Sequence, residues 1–340
     1  MKRPVASAER FVRQGSRHIA REPPLSFPVE PPLRRFTVVE HVSNVLFVAI
    51  HVSLLLVFFV PFSWKVAALA LGGYLLRMWA ITAGYHRYFA HRSYKTSRAF
   101  QLVLAVLGAT TMENGPLWWA ASHRLHHKHA DTPEDPHSPN FGGIVYAHVG
   151  WVFDRTKPNR RDYSNVADLT RYPELRFVDA HTWMPVVAYA AACVAIGGFP
   201  GFVWGFIVST LAVFHATLLI NSLAHVWGSR RYATADTSRN NGLLAWLTLG
   251  EGWHNNHHHF MSAARQGFMW WEVDVTYYVI LVLARLGIVW DVREPSPAVI
   301  DGLGFRARRG RARALENAAS LRRTIRPTGV GDQNIAPVEK

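Results

Sequence analysis

The sequence predicts an all-α membrane protein with four transmembrane helices in two hairpins and a cytoplasmic helical cap that houses a two-metal site. Three observations predict it. From Val42 to Phe62 the chain has no Asp, Glu, Lys or Arg, and about 20 such residues cross a bilayer core; comparable stretches follow in adjoining pairs. Nine histidines cluster beyond the ends of these stretches, several at spacings that share one helix face. The formal net charge of +14 gathers outside the apolar stretches.

Residues 1–35 combine Lys2, Arg3, Arg10, Arg13, Arg17 and Arg21 with a proline cluster from Pro23 to Pro32, so a flexible basic arm is expected. Spans are expected at about 42–62, 66–84, 183–199 and 201–223 within a membrane domain over 36–292. The alternative for any one stretch is a buried helix of a soluble protein; length and pairing argue against it. Arg77 interrupts the second stretch. A charge at mid-bilayer costs roughly 2.5 to 3.5 kcal/mol, so it is expected to snorkel or find an internal partner. His51 and His215 are expected to be satisfied inside the bundle. Cys193 is the one cysteine, which excludes an intramolecular disulfide, an iron–sulfur cluster and a cysteine zinc site. It is expected to pack as a small apolar residue.

Basic residues flank the first span and crowd the tail from Arg306 to Arg313, whereas the tight hairpin turns offer only Lys65. The positive-inside rule then places both termini and the long middle segment in the cytoplasm. No nucleic-acid motif accompanies the charge, so anionic lipid headgroups are the expected partner. No short apolar segment with a cleavage site precedes Val42, so the N-terminus is expected to be retained. Residues 293–340 are expected to be a disordered basic tail.

Between the spans, His86 and His91 lie five residues apart. That is roughly 140° on an ideal helix, so they reach one site only if the helix ends or bulges between them. Phe100 to Met112 is apolar but too short to cross and is expected to be buried or interfacial. Asn114-Gly115-Pro116 breaks it and opens the helix bearing His123-Arg124-Leu125-His126-His127. His123 and His127 share a face while His126 is offset by one residue step, a geometry that can straddle two ions. Asp131, Glu134 and Asp135 in the following loop either orient ligating histidines or are ordinary loop acids. Asn221 and His225 share a face at the end of the last span. Leu243 to Leu249 leads through Gly250-Glu251-Gly252 to His254-Asn255-Asn256-His257-His258. Phe268 to Trp290 is expected to be a helix against the cap rather than a fifth span.

One metal would need about four to six of the nine histidines His86, His91, His123, His126, His127, His225, His254, His257 and His258, so the surplus points to two metals. Asn221 could complete the set through a water. Imidazole suits iron, zinc, copper or nickel. A site beside an apolar bundle can admit a hydrocarbon, and redox iron with oxygen can attack an unactivated C–H bond. Hydrolytic zinc would need fewer histidines and an evident general base.

The ordered set of His86 to His91, His123 to His127, Asn221 to His225 and Gly252 to Phe260 resembles the integral-membrane fatty acyl desaturases, specifically the delta-9 branch that includes stearoyl-CoA desaturase and its bacterial relatives. The resemblance runs from about Val42 to Val292. It implies a mushroom-shaped protein in the bacterial inner membrane, with two Fe ions held by all nine histidines and with Asn221 acting through water. It also implies O2 as co-substrate and a cis double bond placed in an acyl-CoA or acyl-lipid chain. Trp119 matches a tunnel-lining tryptophan. Asn114 and Arg124 match headgroup positions, but Gly115-Pro116-Leu117-Trp118 departs locally, which leaves CoA, acyl carrier protein and lipid open. His259 extends the last box and is not expected to ligate. No haem-binding, ferredoxin or dinucleotide motif is present, so a separate electron donor is expected, ferredoxin-like or cytochrome b5-like. A basic face suits an acidic donor. The rivals are a histidine-box hydroxylase or ketolase and, more distantly, a membrane metal transporter, whose sites fall near mid-bilayer.

Overall fold

Thr37 starts the first helix with a capping box, its hydroxyl accepting from the Glu40 amide while the Glu40 carboxylate accepts from the Thr37 amide at 2.8 Å. The computed structural model describes Arg35 and residues 37–156 and 162–302. The arm expected at the N-terminus, Arg35 apart, and the tail beyond Gly302 lie outside the described residues. Helix α1 (Val38–Ser53) tightens into a 3₁₀ stretch, Leu54–Phe59. Ser63 caps α2 (Trp64–Trp79), which continues unbroken as a π-helical stretch, Ala80–Ala90. Then come β1 (Lys95–Thr96), α3 (Arg98–Ala109), α4 (Pro116–His129), α5 (Pro139–His148), α6 (Ala167–Thr170) and α7 (Pro173–Ala180). Helices α8 (Trp183–Gly201) and α9 (Ser209–Ser222) are joined by a second π-helical stretch, Phe202–Val208. The chain closes with α10 (Gly242–Leu247), α11 (His254–His259), α12 (Val275–Arg285), β2 (Val289–Trp290) and α13 (Pro297–Ile300). Strands β1 and β2 pair antiparallel.

Among the described residues three helical runs are long and apolar enough to cross a membrane: Glu40–Phe59, Trp64–Ala90 and Trp183–His225. The sequence predicts four, and the difference lies in the third run. Its 43 residues are helical segments that meet at a kink, at the point where two spans were expected to part. Gly198 there has φ 62°, and the Tyr189 hydroxyl donates to the Gly205 carbonyl at 2.9 Å. On a straight helix those residues would stand about 24 Å apart. The run therefore folds back on itself near Pro200, and a Cβ at Gly201 would lie 2.3 Å from the Cys193 carbonyl oxygen.

Arg77 does not snorkel. It is fully buried, donating to the Ser209 and Thr210 hydroxyls at 2.5 and 2.7 Å and to the Gly73 and Thr110 carbonyls, with the Tyr189 ring 4.3 Å from its guanidinium carbon. His51 and His215 contact each other at 3.3 Å, and His148 meets the other side of His215 at 3.0 Å. Cys193 is buried among Val203, Phe206 and Ile207.

Two boundaries differ from expectation. Helix over Phe268–Trp290 shrinks to α12, because the preceding acids turn inward as hydrogen-bond acceptors. Asp274 caps the Tyr277 amide and accepts from the Gln266 amide at 2.7 Å, and Glu272 accepts from Asn256 at 2.8 Å. The expected disorder from residue 293 also starts too early. The Arg293 amide donates to Ser93, its carbonyl accepts from Ala264, and the Tyr232 hydroxyl donates to the Ile300 carbonyl at 2.7 Å, so the packed chain reaches Gly302.

Candidate metal centre

The π-helical stretch answers the spacing problem of the first histidine pair. The His91 amide donates to the His86 carbonyl at 3.1 Å, five residues back, and the wider turn brings the two rings to 4.8 Å. Helix α4 begins with Pro116 at its first position. Its free Leu117 and Trp118 amides donate to Asp179 of α7 at 2.9 and 3.0 Å. Helix α11 is too short to hold itself, and its asparagines brace it. Asn255 accepts from the Tyr232 amide at 2.7 Å, while Asn256 bonds Asn240, Glu272 and the Gln266 carbonyl. His254, His257 and His258 thus project from a fixed turn.

All nine histidines expected to ligate converge, in two groups. His86, His91, His123, His127 and His257 form a five-histidine group; His126, His225, His254 and His258 form a four-histidine group. Within each group the candidate ligand atoms lie within 4.8 Å of one another. In the first group Nε2 atoms meet in a chain: His91 to His123 at 2.9 Å, His123 to His127 at 3.0 Å, His127 to His257 at 2.9 Å and His257 to His86 at 3.1 Å. In the second, His225 Nε2 meets His254 Nε2 at 3.1 Å. His225 has Asp131 at its Nδ1, whose carboxylate accepts a hydrogen bond from the Nδ1–H and so leaves the Nε2 lone pair free. His123 Nε2 faces two other Nε2 atoms and has at most one proton to offer. A cation among such lone pairs turns repulsion into coordination, so the residues fit a pair of imidazole-bound transition metals.

Carboxylates stand behind several rings. His86 has Glu251 at 2.5 Å, His126 has Asp135 at 3.0 Å, His225 has Asp131 at 3.1 Å and His258 has Asp236 at 2.9 Å. Of the loop acids left open by the sequence, Asp131 and Asp135 orient histidines, whereas Glu134 accepts from the Thr132 hydroxyl. Glu251 and Asp236 were not foreseen. Glu251 had a signal, an acid three residues before His254 between two glycines; Asp236, in an irregular loop, had none.

Electrostatics keep most of these rings neutral. Burial, reinforced by neighbouring imidazoles, holds His91, His123, His127, His254 and His257 well below the ordinary histidine range. His258 is pushed down to about 4 by burial, against the pull of Asp236. His126 goes the other way, because Asp135 outweighs burial. For Asp131, Asp135 and Asp236 burial pushes upward, but their histidine partners outweigh it and hold them below the usual carboxylate range. Glu251 comes down to about 2, since His86 and Arg87 outweigh its burial.

A cavity of about 40 Å³ adjoins both groups, walled by Met78, Ile81, Trp119, Thr217, Ile220 and Asn221. The Trp119 ring stacks on His123 at 4.9 Å, and its Nε1 donates to Glu113 at 3.2 Å. Arg124 donates to the Phe89, Ala90 and Asn165 carbonyls and to both oxygens of Asp168, which commits all its donors within the fold. Asn114 sits at φ 67° in the turn before α4, its carbonyl accepting from Tyr85 at 3.3 Å. His259 stacks on Tyr232 at 3.9 Å, outside both groups.

The sequence profile of fatty acid desaturases matches residues 62–278, more than half of the chain. The chain belongs to that family. Among its relatives, it is 38% identical over 247 residues to "Palmitoyl-monogalactosyldiacylglycerol delta-7 desaturase, chloroplastic" of Arabidopsis thaliana, covering 72% of this chain and 66% of the relative. It is 40% identical over 263 residues to "Acyl-CoA C20 Delta5-desaturase" of Anemone leveillei, covering 75% and 82%. It is 38% identical over 239 residues to "Delta-9 acyl-lipid desaturase 1" of Arabidopsis thaliana, covering 69% and 77%. As a fatty acid desaturase the protein is an oxidoreductase of lipid metabolism with helices suited to a membrane. These relatives are named for different bond positions and head groups at nearly equal identity, so identity alone does not select delta-9. They are plant proteins, so they lend no support to a bacterial inner membrane.

Proposed function

We propose that this desaturase uses O2 and two Fe ions, one in each histidine group, to place a cis double bond, at delta-9, in a saturated acyl chain carried as acyl-CoA or acyl-lipid. The observation that carries the reading is the convergence of two all-imidazole groups beside an apolar-walled cavity at the ends of spanning helices. Iron held there would, with O2, two electrons and two protons, supply the oxidising power to remove two hydrogens from adjacent carbons, both oxygen atoms leaving as water.

The chain's own residues do the rest. The nine imidazoles hold the ions, Asn221 acts through a water at the cavity wall, and the carboxylates fix each partner ring with Nε2 inward. Met78, Ile81, Trp119 and Ile220 exclude water and position the acyl carbons. The bond position is then set by the length of chain between its head group and the metals. Arg124, its donors already committed, supports a head group by shaping the cap, and Asn114 stands beside the entry to α4. Counting the reversal near Pro200 as a hairpin turn gives four crossings, with both described ends and the metal centre on one side. Electrons come from a separate donor, for which the net charge of +14 favours an acidic protein.

The test is turnover in vesicles with a reductase system, offering a saturated acyl-CoA in one arm and a saturated phospholipid in the other, with products mapped by mass spectrometry. A monoene unsaturated at carbon 9 is expected. A hydroxylated or oxo product would replace this reading with that of an oxygenase.

A further inference from the structure

The two histidine groups present the same ligand atoms inward and differ in what stands behind them. In the four-histidine group, three rings carry an aspartate at Nδ1: His126 with Asp135, His225 with Asp131 and His258 with Asp236. In the five-histidine group, among the described residues, only His86 has a carboxylate, Glu251. At His257 Nδ1 the neighbour is the Gln266 side-chain nitrogen at 3.5 Å. Among the described residues no carboxylate pairs with His91, His123 or His127.

The charges also differ in how they are neutralised. Glu251 shares its carboxylate with the buried guanidinium of Arg87 at 3.0 Å, so the lone acid behind the five-histidine group is already paired. The three aspartates have no Arg or Lys ion-pair partner among the described residues. Asp131 is met by Thr237 and Ser138, Asp135 by the Asp131 and His137 amides, and Asp236 by Thr234 and Ser238. Their negative charge is left to be balanced through the imidazoles. A carboxylate on Nδ1–H makes the opposite nitrogen a stronger donor, and such a partner is worth about 10- to 100-fold in metal affinity.

We propose that the two metal positions are unequal: the ion in the four-histidine group is the tightly held one, and Asp131, Asp135 and Asp236 are the positioning residues that make it so. This rests on the reading that the histidines bind two metals.

The test is stepwise chelation of the full-length protein loaded with iron-57 under anaerobic, reducing conditions, following metal content and Mössbauer spectra together. Release in two steps is expected, the second needing at least about tenfold more chelator, with one quadrupole doublet lost before the other. Asp135→Asn and Asp236→Asn keep the size and one acceptor oxygen for the histidine while removing the charge; the amide nitrogen gives up the acceptor that meets the Asp131 amide in the one case and the Ser238 amide in the other. Each is expected to weaken the second step by about 10- to 100-fold, whereas Glu251→Gln moves the first step alone. Should one aspartate variant not fold, Asp131→Asn makes the same comparison. Release of both irons of the wild type in a single step, or a second wild-type step that Glu251→Gln shifts and the aspartate variants leave in place, overturns the inequality while leaving a two-iron enzyme. A protein that binds no iron overturns the two-metal reading beneath it.

Discussion

Glu113 shows how one side chain can couple the cavity to pH. Burial raises its carboxyl to about 7, with Thr217, Trp119 and Arg77 pulling only partly the other way. The folded state therefore binds a proton between about 4.5 and 7 that the unfolded chain has released. By linkage, the stabilisation from this group is fully present below about 4.5 and is lost as pH rises through about 7. Glu113→Gln, a permanently neutral isostere, is expected to remove that slope and leave the variant more stable than wild type at pH 8. Thermal melts of both proteins at pH 5.5 and pH 8 check this; parallel slopes would reject the raised carboxyl. A second residue-scale expectation concerns Arg77, whose fork meets two hydroxyls and two carbonyls at once. Lysine cannot reproduce a fork, so Arg77→Lys is expected to lower stability by roughly 1.5 to 3 kcal/mol, read as a lower unfolding midpoint in detergent.

At the level of the element, the π-helical stretch Ala80–Ala90 aligns His86 with His91 and needs close packing to persist. Gly108 of α3 lies against it, and a Cβ there would sit 2.1 to 2.6 Å from Tyr85 ring atoms. Tyr85 is fully buried and cannot swing away. Gly108→Ala is thus expected to cost about 1 to 3 kcal/mol through overpacking and to loosen iron held by the five-histidine group, measured by denaturation and by metal content. The helices themselves were legible, because hydropathy and histidine spacing are local signals, and the spacing of His86 and His91 already required the helix to end or to bulge between them. The reversal near Pro200 was legible as a change of direction between two apolar stretches. The residue at the kink is Gly198, whose positive φ breaks the helical backbone there. The partners of Arg77 on α9 were illegible, since Ser209 and Thr210 look like ordinary small polar residues until the helices pack.

Across the whole molecule, the two histidine groups close the fold by joining the π-helical stretch after α2, the middle helix α4, the turn after α9 and α11. The histidines that converge were readable from sequence because they sit in local patterns. Of the acids behind them, Glu251 left a signal beside His254, whereas Asp236 left none, since only tertiary folding sets it against His258. That long-range closure should make the metal-free protein sensitive to acid. The unfolded chain protonates its histidines near 6.5, while His91, His123, His127, His254 and His257 resist protonation in the fold and His258 holds out to about 4. Between about 4 and 6.5 the unfolded state binds more protons, so stability rises with pH there and falls as pH drops. Chelated protein is expected to show a lower denaturation midpoint at pH 5.5 than at pH 7.5. Iron-loaded protein should be more stable than chelated protein at pH 7.5, with the advantage shrinking as protons compete for the same Nε2 atoms. Equal midpoints for the loaded and chelated forms at pH 7.5 would mean that the imidazoles hold themselves together without an ion.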